Sequence, residues 1–112
     1  MKRGNAMLSR REENILLAVW KLDEEAYAIP ILKYLAEVTG ESVSIGGIYV
    51  PLDRLIRKGL LTSWQSEPLP ERGGMSRRYY KLTKKGREEL VEARKVNDRL
   101  WDGLQDLSLE AE

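Results

Sequence analysis

The densest chemistry in this sequence is cationic. Between Arg72 and Arg87 lie seven basic residues, Arg72, Arg77, Arg78, Lys81, Lys84, Lys85 and Arg87, with no acid among them. Guanidinium groups beside Gly73 and Gly74 can reach phosphate oxygens, because glycine lets the backbone approach closely and Arg donates in a fork that fits phosphate. A charged hairpin is also an ordinary solubility device, but a run with no acid in it favours phosphate binding. Arg77 and Arg78 are adjacent in an extended segment and therefore point to opposite faces, one toward a phosphate backbone and the other free to pair with a carboxylate. A second polar group precedes this one. Ser42, Ser44 and Tyr49 begin a segment that ends in Arg54, Arg57 and Lys58. Short hydroxyls at the start of a helix can approach base edges, and Tyr49 suits a phosphate contact. The competing roles are packing of Tyr49 on the hairpin and an ion pair from Arg54 to Asp53 or a neighbouring helix.

Other chemistries are thin. The 112 residues include no cysteine and no histidine, which removes disulfides, thiolate nucleophiles, the usual zinc ligand sets and imidazole proton transfer. Asp23-Glu24-Glu25 is the densest acidic cluster, and a solvated turn after a helix is its ordinary explanation. The expectation is a chain with no catalytic residues, no metal and no cofactor, and not an enzyme. A net charge of +1 is low for a nucleic-acid binder. Its distribution matters more, since the chain beyond Arg87 turns acidic and leaves one basic face. The longest apolar run, Ile15 to Trp20, falls far short of the ~20 residues that cross a bilayer. With no signal peptide at its start, the chain is expected to be cytoplasmic and to have no membrane partner.

The elements that must position these groups follow from caps and periodicity. Ser9 with Glu12 forms a capping box, and Leu16, Val19 and Trp20 recur at helical spacing, so a first helix is predicted from about Arg10 to Leu22. Tyr27-Ala28-Ile29 is a short apolar stretch, and Pro30 suits the first turn of a second helix that carries Ile31, Leu32, Leu35 and Val38 and ends before Gly40. Ser44 caps a third, about Ile45 to Lys58, with Ile48, Leu52, Leu55 and Ile56 on one face and Gly59 behind its end. Pro51 removes the amide bond to Gly47, so a kink or tight first turn is expected there. Leu60 to Glu67 and Ser76 to Leu82 read as two strands around a Pro- and Gly-rich loop, Leu69 to Met75. Thr83 caps a last helix expected to reach Leu107, ~36 Å at 1.5 Å per residue, too long for one small core. Three helices and a hairpin are the winged helix-turn-helix arrangement. The predicted fold is therefore mainly α with a small β hairpin: a winged helix-turn-helix over residues 1–83, whose first seven residues are either disordered or a basic arm that reaches DNA, and a dimerisation helix and tail over 84–112.

Along that last helix Leu90, Ala93, Asn97, Leu100, Leu104 and Leu107 fall three and four apart, a seam for a partner helix, with Trp101 flanking it. A buried Asn97 would fix register, or would mark the edge of the contact. Packing on the chain's own first helix explains Leu90 and Ala93 but not Leu104 and Leu107, so a homodimer is expected. Trp20 and Trp101 are the candidates to line a pore between subunits for a small hydrophobic effector, against the commoner role of core aromatics.

The segment Gly46-Gly47-Ile48-Tyr49-Val50-Pro51-Leu52-Asp53-Arg54-Leu55 with Lys58-Gly59-Leu60, followed by Glu71-Arg72-Gly73-Gly74 and by Arg78-Tyr79-Tyr80-Lys81-Leu82-Thr83-Lys84-Lys85-Gly86, resembles the PadR family of transcriptional regulators. The resemblance extends over roughly Leu8 to Leu107, and the single C-terminal helix is similar to the smaller subfamily. It implies a dimeric winged helix, usually a repressor of a nearby operon. Tyr49, Arg72, Arg77 and Arg78 would contact double-stranded DNA, and the first and last helices would form the dimer. Some small members stack flat aromatic compounds on a tryptophan of the last helix, and the matching position here is Asn97. Two other readings remain alongside a DNA-binding repressor: a winged-helix protein-interaction module, and a regulator gated by a small hydrophobic ligand at the dimer interface.

Overall fold

The computed structural model describes residues 8–104. It contains four helices, α1 (Arg10–Leu22), α2 (Ala28–Thr39), α3 (Ile45–Arg57) and α4 (Lys84–Trp101), and an antiparallel pair of strands, β1 (Leu61–Gln65) and β2 (Arg78–Leu82).

The start of α1 is fixed by reciprocal bonds: the Glu12 amide donates to Ser9 Oγ at 3.0 Å, and the Ser9 amide donates to Glu12 Oε1 at 2.9 Å. Ile15, Leu16, Ala18 and Val19 then bury one face against Ile31 and Leu35 of α2 and Ile48, Leu52 and Leu55 of α3. Pro30 lies in the first turn of α2, where its missing N–H is unneeded. Two residues expected on these apolar faces are not covered: Val38 is 64% exposed at the end of α2, and Trp20 is 56% exposed on α1.

Ser44 caps α3 by accepting from the Gly47 amide at 3.0 Å. The helix passes through Pro51, which is buried, so the expected disruption does not end it. It stops one residue earlier than predicted, with Lys58 as its cap. Gly59 takes φ +79°, a left-handed conformation that glycine adopts without penalty, and the Leu60 amide turns back to the Leu55 carbonyl at 3.0 Å.

Leu61 pairs with Leu82 and Ser63 with Tyr80, so Leu61, Tyr80 and Leu82 face the core. Both strands are shorter than predicted. Ser66 and Arg77 lie just past the strand ends and close the hairpin, the Ser66 amide donating to the Arg77 carbonyl at 2.8 Å and the Arg77 amide to Ser66 Oγ at 3.0 Å. The loop beyond contains one 3-10 turn, Pro70–Arg72. The segment after α1 joins the hairpin as well: Tyr27 bridges Tyr79, and the Tyr80 amide donates to the Ala26 carbonyl at 2.9 Å.

The last helix departs most from expectation. It ends at Trp101 and not at Leu107, because Asp102 leaves helical geometry and Gly103 takes φ +83°. Its 18 residues extend about 27 Å at 1.5 Å per residue. Leu104 lies beyond the helix, and Leu107 falls outside the described residues.

One long-range ion pair ties the first helix to the third. Lys58 Nζ sits 2.6 Å from Glu12 Oε2, whose side chain is 8% exposed. Burial alone would raise the Glu12 carboxyl, but the bonds from Lys58 and the Ser9 amide, together with the Lys58 charge, hold it below its ordinary 4.5. A depressed carboxyl stabilises the fold above its unfolded pKa and loses that contribution as pH falls through its folded value. Glu12→Gln should therefore cost about 1–2 kcal/mol at neutral pH. In urea titrations, the gap to the unaltered protein should narrow as pH drops below 4.5; a gap constant with pH would show that the charge contributes nothing.

Candidate nucleic-acid interface

One face of α3 is consumed by the core, through Ile48, Leu52 and Leu55. The opposite face is open. Ser42 and Ser44 are exposed just ahead of the helix, Tyr49 is 41% exposed on its second turn, and Arg54 is exposed near its end. Ser44 Oγ already accepts the capping bond, which leaves its hydroxyl proton to donate outward. Among the described residues Arg54 has no ion-pair partner, so neither Asp53 nor a neighbouring helix occupies it. Lys58 differs from the other helix-end cations because Glu12 already holds its charge.

The wing residues divide into three kinds. Arg72 acts as internal scaffolding: its guanidinium donates to the Met75 carbonyl at 3.3 Å, to Ser66 Oγ at 3.1 Å and to the Glu67 carbonyl at 3.1 Å, which sets the shape of the loop. Arg78 faces α3, where its Nη1 lies 3.6 Å from Asp53 Oδ1 and its Nε donates to Ser63 Oγ at 3.2 Å. Arg77 lies on the other face, with its guanidinium 4.2 Å from the centre of the Tyr27 ring. A hydrogen bond to Tyr79 pushes its pKa further up, so it is charged at every physiological pH.

That outer face carries an aromatic ladder that sequence reasoning missed. Trp64 stacks on Tyr79 at 5.8 Å, and Tyr79 meets Tyr27 edge-on at 5.3 Å. A cross-strand signal existed, since Trp64 and Tyr79 fall opposite each other once the hairpin register is set. Tyr27 had no such signal, because its contact is tertiary.

Two grooves run between α1 and α4. The more apolar one, about 510 Å³, is lined by Leu17, Trp20, Leu82, Leu90 and Val91 with Arg87, Arg94 and Lys95 at its rim. The other, about 320 Å³, includes Leu8, Ala93, Val96, Asn97 and Leu100. Trp20 lines the first, while Trp101 lines neither, so the two tryptophans are not brought together within one protomer. Leu90 packs partly on the core, whereas Leu100, Trp101 and Leu104 are open at 70%, 53% and 48% exposure. Among the described residues there is no cluster suited to a metal ion and no helix long and apolar enough to cross a membrane.

A helical trio whose third helix leaves one side open beside a cationic hairpin is the winged helix-turn-helix arrangement of DNA-binding proteins. Comparison with known proteins gives the family: the model of the transcriptional regulator PadR-like family matches residues 16–92. A PadR-like transcription factor from Bacteroides fragilis is 32% identical, with 88% of this chain and 89% of that one covered and a TM-score of 0.70. A PadR family transcriptional regulator from Eggerthella lenta is 31% identical over 88% of this chain and 83% of its own, with a TM-score of 0.66. One from Clostridium difficile is 29% identical over 85% and 95%, with a TM-score of 0.61. No functionally curated protein matches the sequence. The chain belongs to the PadR-like family and is a DNA-binding transcription regulator rather than an enzyme.

Proposed function

We propose that the protein is a homodimeric repressor that binds a palindromic operator. The third helix of each subunit enters successive major grooves ~34 to 36 Å apart, one helical turn of DNA. The head comprises the residues up to Thr83, and α4 with its tail is the dimerisation arm. The observation that carries this reading is the open side of α3 and the turn before it, where Ser42, Ser44, Tyr49 and Arg54 stand exposed beside Ile45 and Val50, continued onto the wing by Arg78 beside Asp53. Ser42, Ser44 and Tyr49 approach bases and adjoining phosphates, while Arg54, Arg77 and Arg78 supply phosphate contacts. Arg72 contributes by holding the loop that presents them. The dimer uses α1 and α4, with Leu90 and Asn97 at its inner end and Leu100, Trp101 and Leu104 at its outer end; Leu107 would extend the same contact.

Selecting bound fragments from sheared genomic DNA at about 0.15 M salt, where non-specific binding is suppressed, tests the proposal. An enriched palindrome is the expected result, and fragments without a shared motif would overturn sequence-specific repression. Replacing Arg77 and Arg78 together by alanine should weaken binding to all sequences and flatten the slope of log K against log salt by up to about 3.6, at ~0.9 for each of two phosphate contacts in each head of the dimer. An unchanged slope would remove the wing from the interface.

The groove beside Trp20 supports a second reading, a small hydrophobic effector bound against α1 and α4, because about 510 Å³ of mostly apolar lining is the size and character of a ligand site. Quenching of tryptophan fluorescence across a panel of apolar compounds, present in the unaltered protein and lost in Trp20→Phe, tests it; no response, or quenching that persists in Trp20→Phe, would count against an effector there.

A further inference from the structure

The seven cations between Arg72 and Arg87 meet one carboxylate from α3, and that carboxylate lies on the face assigned to DNA. Asp53 is about half exposed, one residue before Arg54 and one turn after Tyr49, and its Oδ1 stands 3.6 Å from Arg78 Nη1. A negative group on a phosphate-binding surface repels DNA unless something offsets it, so its presence there needs an account. Arg78 provides one. Its Nε is anchored to Ser63 Oγ, its guanidinium stands 5.8 Å from the centre of the Tyr80 ring, and its side chain remains 43% exposed. The cation is thus fixed at the joint between α3 and the wing and still open to solvent. At 3.6 Å the pair is longer than a good charge-assisted hydrogen bond, and exposed pairs of this kind are weak. A phosphate oxygen can therefore compete for Arg78. Close by, Tyr80 Oη is buried with no hydrogen-bond partner among the described residues.

We propose that Asp53 is a specificity-determining residue: it occupies Arg78 so that the wing does not grip DNA phosphates indiscriminately, and it gives Arg78 up only where α3 is fully seated in its groove. On an ill-fitting sequence the helix stays shallow, Asp53 keeps its partner, and one phosphate contact is withheld. On a fitting sequence the phosphate displaces the carboxylate. The inference rests on the proposed placement of α3 and the wing on DNA.

The test uses the full chain and a random-sequence duplex of about 30 base pairs, titrated over a range of salt, with the unaltered protein, Asp53→Asn, Arg78→Ala and the double variant. Asp53→Asn should tighten binding to random DNA several-fold at about 0.15 M salt and steepen the salt slope by about 1.8 for the dimer, ~0.9 for the one phosphate contact added in each of its two heads. In the Arg78→Ala background the same change should leave both quantities where they were. An unchanged slope for Asp53→Asn overturns the proposal. So does a gain that persists without Arg78, because removal of a negative charge would then explain it. If the unaltered protein shows no binding to duplex DNA, it is the underlying placement on DNA that fails, which is distinguishable from either of those results. Circular dichroism of all four proteins confirms that each is folded, which ties any difference to the interface.

Discussion

Gly86→Ala should lower the stability of the protein by about 3 kcal/mol, near the upper end of what an overpacked contact costs, and reduce the melting temperature by on the order of 15 °C for a chain of this size. A Cβ at that position would stand 2.3 Å from the Leu60 carbonyl oxygen and 3.1 Å from Leu82 Cδ2. The oxygen belongs to the backbone and cannot swing aside. It also has a task, accepting the Thr83 amide at 3.1 Å, while Thr83 Oγ1 donates to the Gly59 carbonyl at 2.7 Å and caps α4 by accepting from the Gly86 amide at 2.9 Å. Displacing it loosens the corner after α3 and the start of α4 together. Thermal unfolding followed by circular dichroism checks this, with Lys84→Ala, an exposed change in the same turn, as the control. A shift of only ~2 °C for Gly86→Ala would mean that α4 docks less tightly than the geometry requires.

The second large effect concerns assembly. Leu100 is 70% exposed in the protomer, a poor arrangement for a leucine on a regular helix unless another surface covers it. In the proposed dimer it is covered, and Leu100→Asp would place an unpaired charge there. That costs about 3 kcal/mol or more, roughly a hundredfold in the dimer dissociation constant. Sedimentation at micromolar concentration should show monomers for the variant and dimers for the unaltered protein, with the melting curve of the head little changed. Dimers in both would move the contact away from the end of α4.

The two predictions draw on parts of the molecule that were unequally legible in the sequence. The corner around Gly59, Thr83 and Gly86 was partly visible: Gly59 reads as a helix stop and Thr83 as a cap, since both are local signals. That Gly86 must be glycine was not, because the atom that excludes a side chain comes from Leu60, brought there by the turn of the chain. The boundaries of α1 followed from Ser9 and Glu12, and those of α2 from Pro30 and Gly40, again from chemistry within a few residues. The sequence prediction carries α4 past its end because the apolar spacing runs on through Leu104 and Leu107, whereas Asp102 and Gly103 leave helical geometry.

The same division holds at the interface. Adjacent positions in a strand force Arg77 and Arg78 apart, and that was readable. Which of them meets a carboxylate depends on α3 crossing the hairpin at Asp53, and sequence alone could not place that crossing. Residue type marks Arg72 as a charge available to DNA, and what it does not show is that its Nε and Nη2 are bonded to Ser66, Glu67 and Met75 while Nη1 has no such bond among the described residues. Position alone groups Lys58 with the cations at the end of the third helix, and its partner, Glu12, is 46 residues away. Val38 and Trp20 show the limit of periodicity, which identifies an apolar face but not whether a neighbour covers it.

The bond between Lys58 and Glu12 also has a mechanical meaning. It fastens the last turn of the third helix to the first turn of α1, the helix that shares both grooves with α4. Together with the apolar contacts between these helices, it favours a tilt of α1 relative to its own α4 that carries the third helix along. In the proposed dimer, a small change of angle near Trp20 would then change the distance between the two third helices.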